Sequence, residues 1–191
     1  MIRSIKPELL DTLPPDDPGA VRSRKDLLRV ARRLRSDWQG TSVVLLDRRN
    51  IVSLETRQAF AALGWHTAAL EAEALGWLRQ PFVPVWDTIT VNLFLHHFTE
   101  GQLAVLLRGA ARLTRTFIAV EPRRSEGSLF FSRLLWLIGC NRVTRHDAPV
   151  SVCAGFTGQE LSQLWPTGQG WSLEERPAGW FSHVFIAQRR E

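Results

Sequence analysis

The stretch that most constrains this chain is Val85–Phe98, a β-branched apolar run that breaks at Asn92 into a polar turn bearing His96 and His97. The run reads as a buried strand. Thr99 then has the character of a helix N-cap, with Gln102 three residues on to complete a capping box. From Gly101 to about Leu113, an apolar stripe of Leu103, Leu106, Leu107 and Ala110 predicts an amphipathic helix. A second apolar strand follows at Thr116–Val120. Strand, loop, helix, strand in this order fits a parallel crossover, in which ligands sit beyond the carboxyl ends of the strands. Asn92, His96 and His97 fall at such an end.

The chain has 191 residues, 45% hydrophobic and 23% charged, which suits one domain with an ordinary core. The expected organisation is an irregular N-terminal arm over residues 1–22, punctuated by Pro7, Pro14, Pro15 and Pro18, and a single α/β domain over 23–191. Cys140 and Cys153 match no disulfide framework or metal-ligand spacing, so no metal is expected and a cytoplasmic setting is the default. The N-terminus lacks the apolar core of a signal peptide, and Leu129–Cys140 is too short and too interrupted to span a bilayer. The net charge of +5 comes mainly from arginines. They cluster on expected helix faces and at a strand end, without interleaved aromatics, so no nucleic-acid partner is expected.

Three further strand–helix signals flank the centre. Ser23 and Asp26 form a capping box for a helix to about Ser36. Thr41–Asp47 reads as a buried parallel strand ending in an acid, a position suited to accepting ribose hydroxyls. Pairing with Arg48 or Arg49 is the plainer role for Asp47. Ser53 caps a helix over Leu54–Leu63 closed by Gly64, and His66–Leu70 is a weak strand running into Glu71–Leu75. Trp77 and Leu78 begin a short helix.

Downstream, Leu129–Ile138 is expected to be a core helix or else a wall over an apolar substrate. Asn141–Asp147 reads as a polar loop. His146 there suits a general base near neutral pH, or a hydrogen bond to Asp147. Thr157 and Glu160 form a capping box for a helix ended by Pro166, and Trp171–Arg176 with Phe181–Ala187 predicts an antiparallel hairpin.

Asp87-Thr88-Ile89 running into Asn92-Leu93-Phe94-Leu95-His96-His97-Phe98 resembles the fourth strand and following loop of the class I S-adenosylmethionine-dependent methyltransferases. The resemblance covers roughly residues 23–190. It implies a doubly wound, Rossmann-like, mostly parallel sheet with a C-terminal antiparallel hairpin. It also implies S-adenosylmethionine as cofactor, with Asp47 on the ribose, Glu73 and Ala74 at the adenine and Asn92 at the methionine end. Catalytic candidates are His97 and His146, with His96 as a further histidine able to deprotonate a hydroxyl. The implied acceptor is a small apolar, aromatic or polyketide-like molecule, and a homo-oligomer is an open expectation.

The departure lies upstream. Such enzymes carry a glycine-rich turn after the first strand, because glycines let the backbone approach the cofactor closely. Before Gly64 this chain has only Gly19 and Gly40, and neither follows an apolar strand. The expectation is therefore a chain lacking the first strand and its glycine turn. A silent relative that binds or regulates a partner is the alternative to an active enzyme.

Overall fold

The structure is a computed structural model and describes residues 1–8, 40–49, 52–81, 84–135, 142–166, 168 and 170–190. The helix expected over 23–36 lies outside the described residues. The chain divides into two compact units, Leu13–Trp77 and Met1–Thr12 with Leu78–Glu191.

In the first of these, β1 (Ser42–Asp47) and β2 (His66–Glu71) pair in parallel, with Asp47 opposite Glu71 at their carboxyl ends. The crossover is α1 (Leu54–Ala61), and the Ser53 side chain accepts from the Thr56 N–H as its cap. Gly64 sits at φ 77°, a left-handed conformation that favours glycine and ends the helix. Phe60 and Trp65 stack and form a small core with Val43, Leu45, Ala59 and Leu63. A short helix α2 (Ala74–Leu78) follows, which Trp77 and Leu78 end rather than begin, as Glu73 caps its start.

The other unit holds a four-stranded sheet in the order β3-β4-β6-β5. Its strands are β3 (Trp86–Asn92), β4 (Thr114–Pro122), β5 (Trp171–Ala178) and β6 (Ser182–Arg189). β3 and β4 are parallel, whereas β6 runs antiparallel to both β4 and β5. The crossover between β3 and β4 is α3 (Glu100–Leu113), whose capping box of Thr99 and Gln102 is complete. Its stripe of Leu103, Leu106, Leu107 and Ala110 is buried as expected. Trp165 centres the core, with ring centroids 5.2 Å from Phe117, 5.4 Å from Phe185 and 5.1 Å from Trp171.

Three local expectations are corrected. Asn141–Asp147 is not a loop: from Arg142 it forms the start of α5 (Arg142–Ala154), which packs on the preceding helix α4 (Glu126–Arg133). Tertiary packing there outweighs polar composition. Second, of the segment expected as a core helix or a wall, α4 does not bury its phenylalanines as a core helix would, and residues 136–138 lie outside the described residues. Ser128 and Ser132 face inward, and Ser128 Oγ donates to Trp180 O over 2.8 Å, leaving Phe130 and Phe131 exposed. Third, α6 (Glu160–Leu164) has Gln159 at its N-cap without a side-chain bond, and only half of the Thr157/Glu160 box forms. The helix amides of Leu161 and Ser162 bond instead to the Glu175 carboxylate, from β5.

Among the described residues, β1 is paired only with β2, and β3 only with β4. No helix among them is long and apolar enough to cross a membrane.

Candidate functional site

Asp47 in one unit and Asn92 in the other each stand at the carboxyl end of a strand. Asp47 closes β1; its Oδ1 accepts from the Arg49 N–H over 2.9 Å, and its carbonyl accepts from the Ala72 N–H at the tip of β2. Glu73 follows directly. Its Oε1 accepts from the Leu75 N–H over 3.0 Å and its Oε2 from the Gly76 N–H over 2.6 Å, so this carboxylate caps α2, which Ala74 begins. Two acids thus stand at the tips of adjacent parallel strands, one half-buried and one exposed.

In the other unit Asn92 ends β3 opposite Val120 and is exposed. Leu93 then takes φ 51°, the only non-glycine among the described residues in the left-handed region, at a cost of about 1–2 kcal/mol. Its N–H is held by Val120 O over 2.8 Å. The chain enters a single 3₁₀ turn, Leu95–His97.

That turn is held by Glu121, the penultimate residue of β4 and fully buried. Glu121 Oε1 accepts from the amides of Phe94 and Leu95, over 2.9 and 2.8 Å. Its Oε2 accepts from the His96 amide over 3.3 Å and from His96 Nδ1 over 2.7 Å. The other ring nitrogen, Nε2, meets Glu8 Oε1 at 3.2 Å, although the two residues lie 88 positions apart. Ser151 on α5 also donates to Glu8.

His96 is buried, which by itself disfavours a charge. The hydrogen bonds and negative charges of Glu121 and Glu8 outweigh that and raise its pKa to about 9. Burial likewise pushes the Glu8 carboxyl up, but the bonds from His96 and Ser151 hold it below its ordinary value. At neutral pH His96 is therefore an imidazolium donating from both nitrogens, and is no general base.

His97 is half-buried beside it, ring centroids 4.2 Å apart. His146 lies elsewhere, on α5, with about half of its side chain exposed. Its Nδ1 is 2.8 Å from Oδ1 of the buried Asp147, the hydrogen bond foreseen from the sequence. The N-terminal arm is fixed against this region. Arg3 Nε donates to Ala154 O over 2.8 Å, and its Nη2 donates to Phe98 O over 3.0 Å.

Two residues of this cluster were not singled out from the sequence. Glu121 had a signal, as the one acid within the run Thr116–Glu121, where a buried carboxylate demands partners. Glu8 had none, because only folding brings an arm residue to His96.

Comparison with solved structures shows what the fold is similar to. The plantazolicin methyltransferase BamL, solved in complex with a triazolic desmethylPZN analog and SAH, has a TM-score of 0.59 at 13% identity, over 95% of this chain and 93% of that one. The plantazolicin methyltransferase BpumL has 0.55 at 11% identity, covering 92% of each chain. The pyocyanin biosynthetic protein PhzM has 0.53 at 16% identity, covering 92% of this chain. The chain has the fold of the class I methyltransferases. It spans 60% of the length of PhzM. No protein-family model matches the sequence, and no curated protein does.

Proposed function

We propose that the chain is an S-adenosylmethionine-dependent methyltransferase acting on a small apolar or aromatic acceptor. The observation that carries this reading is the methyltransferase fold, supported by acids at the strand ends of one unit, Asp47 and Glu73, and by Asn92 at a strand end of the other, since such sheets bind nucleotide ligands at those ends. Asp47 would accept from the ribose hydroxyls, Glu73 and Ala74 would border the adenine, and Asn92 would border the methionine end. Each oxygen of Glu73 already accepts one backbone N–H and keeps a second lone pair for such a contact. The cofactor supplies an electrophilic sulfonium methyl.

The chain's own task is to hold the acceptor in line and, for a hydroxyl acceptor, to remove a proton. An apolar acceptor is supported by Phe130, Phe131, Trp180 and Phe181. Phe131 packs edge-on against both Trp180 and Phe181, and all four are exposed. Phe181 O also accepts from the Arg123 amide just past the carboxyl end of β4. His146 is the base assigned, because Asp147 at its Nδ1 leaves Nε2 as the proton acceptor. His97 is the other candidate base.

The test is thermal unfolding of the chain with and without S-adenosylhomocysteine. Ligand at about 100 times its dissociation constant stabilises by about 2.7 kcal/mol, which raises Tm by roughly 5–10 °C at this size. Asp47→Ala is expected to abolish that rise while leaving the ligand-free Tm near the wild-type value. With an acceptor in hand, His146→Gln should keep the rise and lose turnover by about 10²–10⁴-fold. No rise in a cooperatively melting wild-type chain would replace this reading with that of a silent, partner-binding relative.

A further inference from the structure

We propose that Glu8, His96 and His97 form a binding site for a single divalent cation of the zinc class, which fastens the N-terminal arm to the turn after β3. One ligand atom from each of the three residues lies within 4.8 Å of the others. The separation of His96 Nε2 and Glu8 Oε1 is 3.2 Å. Bonds of about 2.0–2.1 Å in a tetrahedral site put neighbouring ligands about 3.3–3.4 Å apart, a spacing these two atoms already approach.

The outer shell is also built. A metal-bound histidine is ordinarily held by a carboxylate on its other nitrogen, which fixes the ring and its tautomer. Glu121 occupies that place, 2.7 Å from His96 Nδ1, and is itself locked by three backbone N–H groups. Once the proton is displaced, the Nε2 lone pair is thereby directed at the Glu8 side. His97 is the least buried of the three, which gives an ion and one water ligand a way in.

The donor set of two nitrogens and one oxygen suits zinc and its transition-metal neighbours. Calcium and magnesium demand oxygen ligands. An ion here ties chain segments together and takes no part in methyl transfer with His146 as base; it would remove only His97 from the choice of base.

The experiment is a titration of the full chain, stripped with a chelator, with zinc ion alone in competition with a chromophoric chelator. One equivalent should bind per chain. Glu8→Gln and His97→Ala should each weaken binding at least ten-fold. Glu121→Gln, a positioning change, should weaken it by about 10–100-fold. His66→Ala, in the other unit, should leave it unchanged. The X-ray absorption spectrum of the zinc-loaded wild-type chain needs no variant to fold, and should show two imidazole nitrogens, a carboxylate oxygen and no sulfur. Absence of saturable one-to-one binding, equal binding by Glu8→Gln and His97→Ala, or a spectrum with sulfur or a single imidazole would each overturn the site. The trio would then be an ion-pair latch closed by a proton. The rise in Tm with S-adenosylhomocysteine reads the methyltransferase proposal separately.

Discussion

Glu175 does for α6 what Glu121 does for the turn after β3. Each is a buried strand carboxylate that accepts two or more backbone N–H groups at the start of a short helical element and also holds a histidine. Glu175 accepts from Leu161 and Ser162, and from His183 Nε2 over 2.8 Å. Among the described residues His183 Nδ1 has no partner. Burial pushes the Glu175 carboxyl up, but the bonds from His183, Ser162 and Leu161 outweigh it and hold it below its ordinary value. A carboxyl lowered by folding adds stability above its unfolded pKa, near 4.3, and loses it as the pH falls through the lowered folded value. Glu175→Gln should therefore cost about 1–3 kcal/mol at pH 7. The gap from wild type should narrow as the pH falls through the lowered folded value. Urea unfolding at pH 7 and pH 3 measures both; an equal gap at the two pH values would show that the carboxylate charge is not what stabilises.

At the scale of elements, the sequence was most legible where the stabilising groups are near neighbours. Thr99 and Gln102 make their capping box within one turn, and the α3 stripe is buried as its period requires. Thr99→Ala should lower stability by about 1 kcal/mol in chemical denaturation. The elements misread were those with distant partners. The N-terminal amides of α6 are met by a strand downstream, and α5 is helical against α4 although its first turn is polar. Gly155, just after α5, shows how close such packing runs. A Cβ there would lie 2.2 Å from the Pro122 carbonyl oxygen, at the point where Phe156 N–H bonds to that same oxygen. Gly155→Ala must push the backbone apart, and a loss of at least about 1–3 kcal/mol in unfolding free energy is expected. Full stability in that variant would mean that the contact yields easily.

For the whole molecule, the larger unit has one aromatic centre. Trp165 is 1% exposed and touches rings from β4, β5 and β6. Trp165→Ala should remove about 3–5 kcal/mol from that unit, read by denaturant titration. The Phe60–Trp65 core belongs to the other unit and does not involve this residue.

Alternating and 3.6-residue hydrophobic periods are local properties. They determined by themselves the strands ending at Asp47 and Asn92, the crossover helix, and the antiparallel hairpin. With the strand ends came the positions of Asp47 and Glu73 in one sheet and of Asn92 in the other, because a parallel crossover puts the strand tips on one edge of its own sheet. Tertiary structure alone decided the state of the histidines. His96 and His97 are adjacent in sequence and read alike there, yet Glu121 and Glu8 make His96 a buried cation while His97 stays half-exposed. The physical reason is range: backbone periodicity is set within a few residues, whereas a proton affinity is set by whichever charges and dipoles folding brings within a few ångströms.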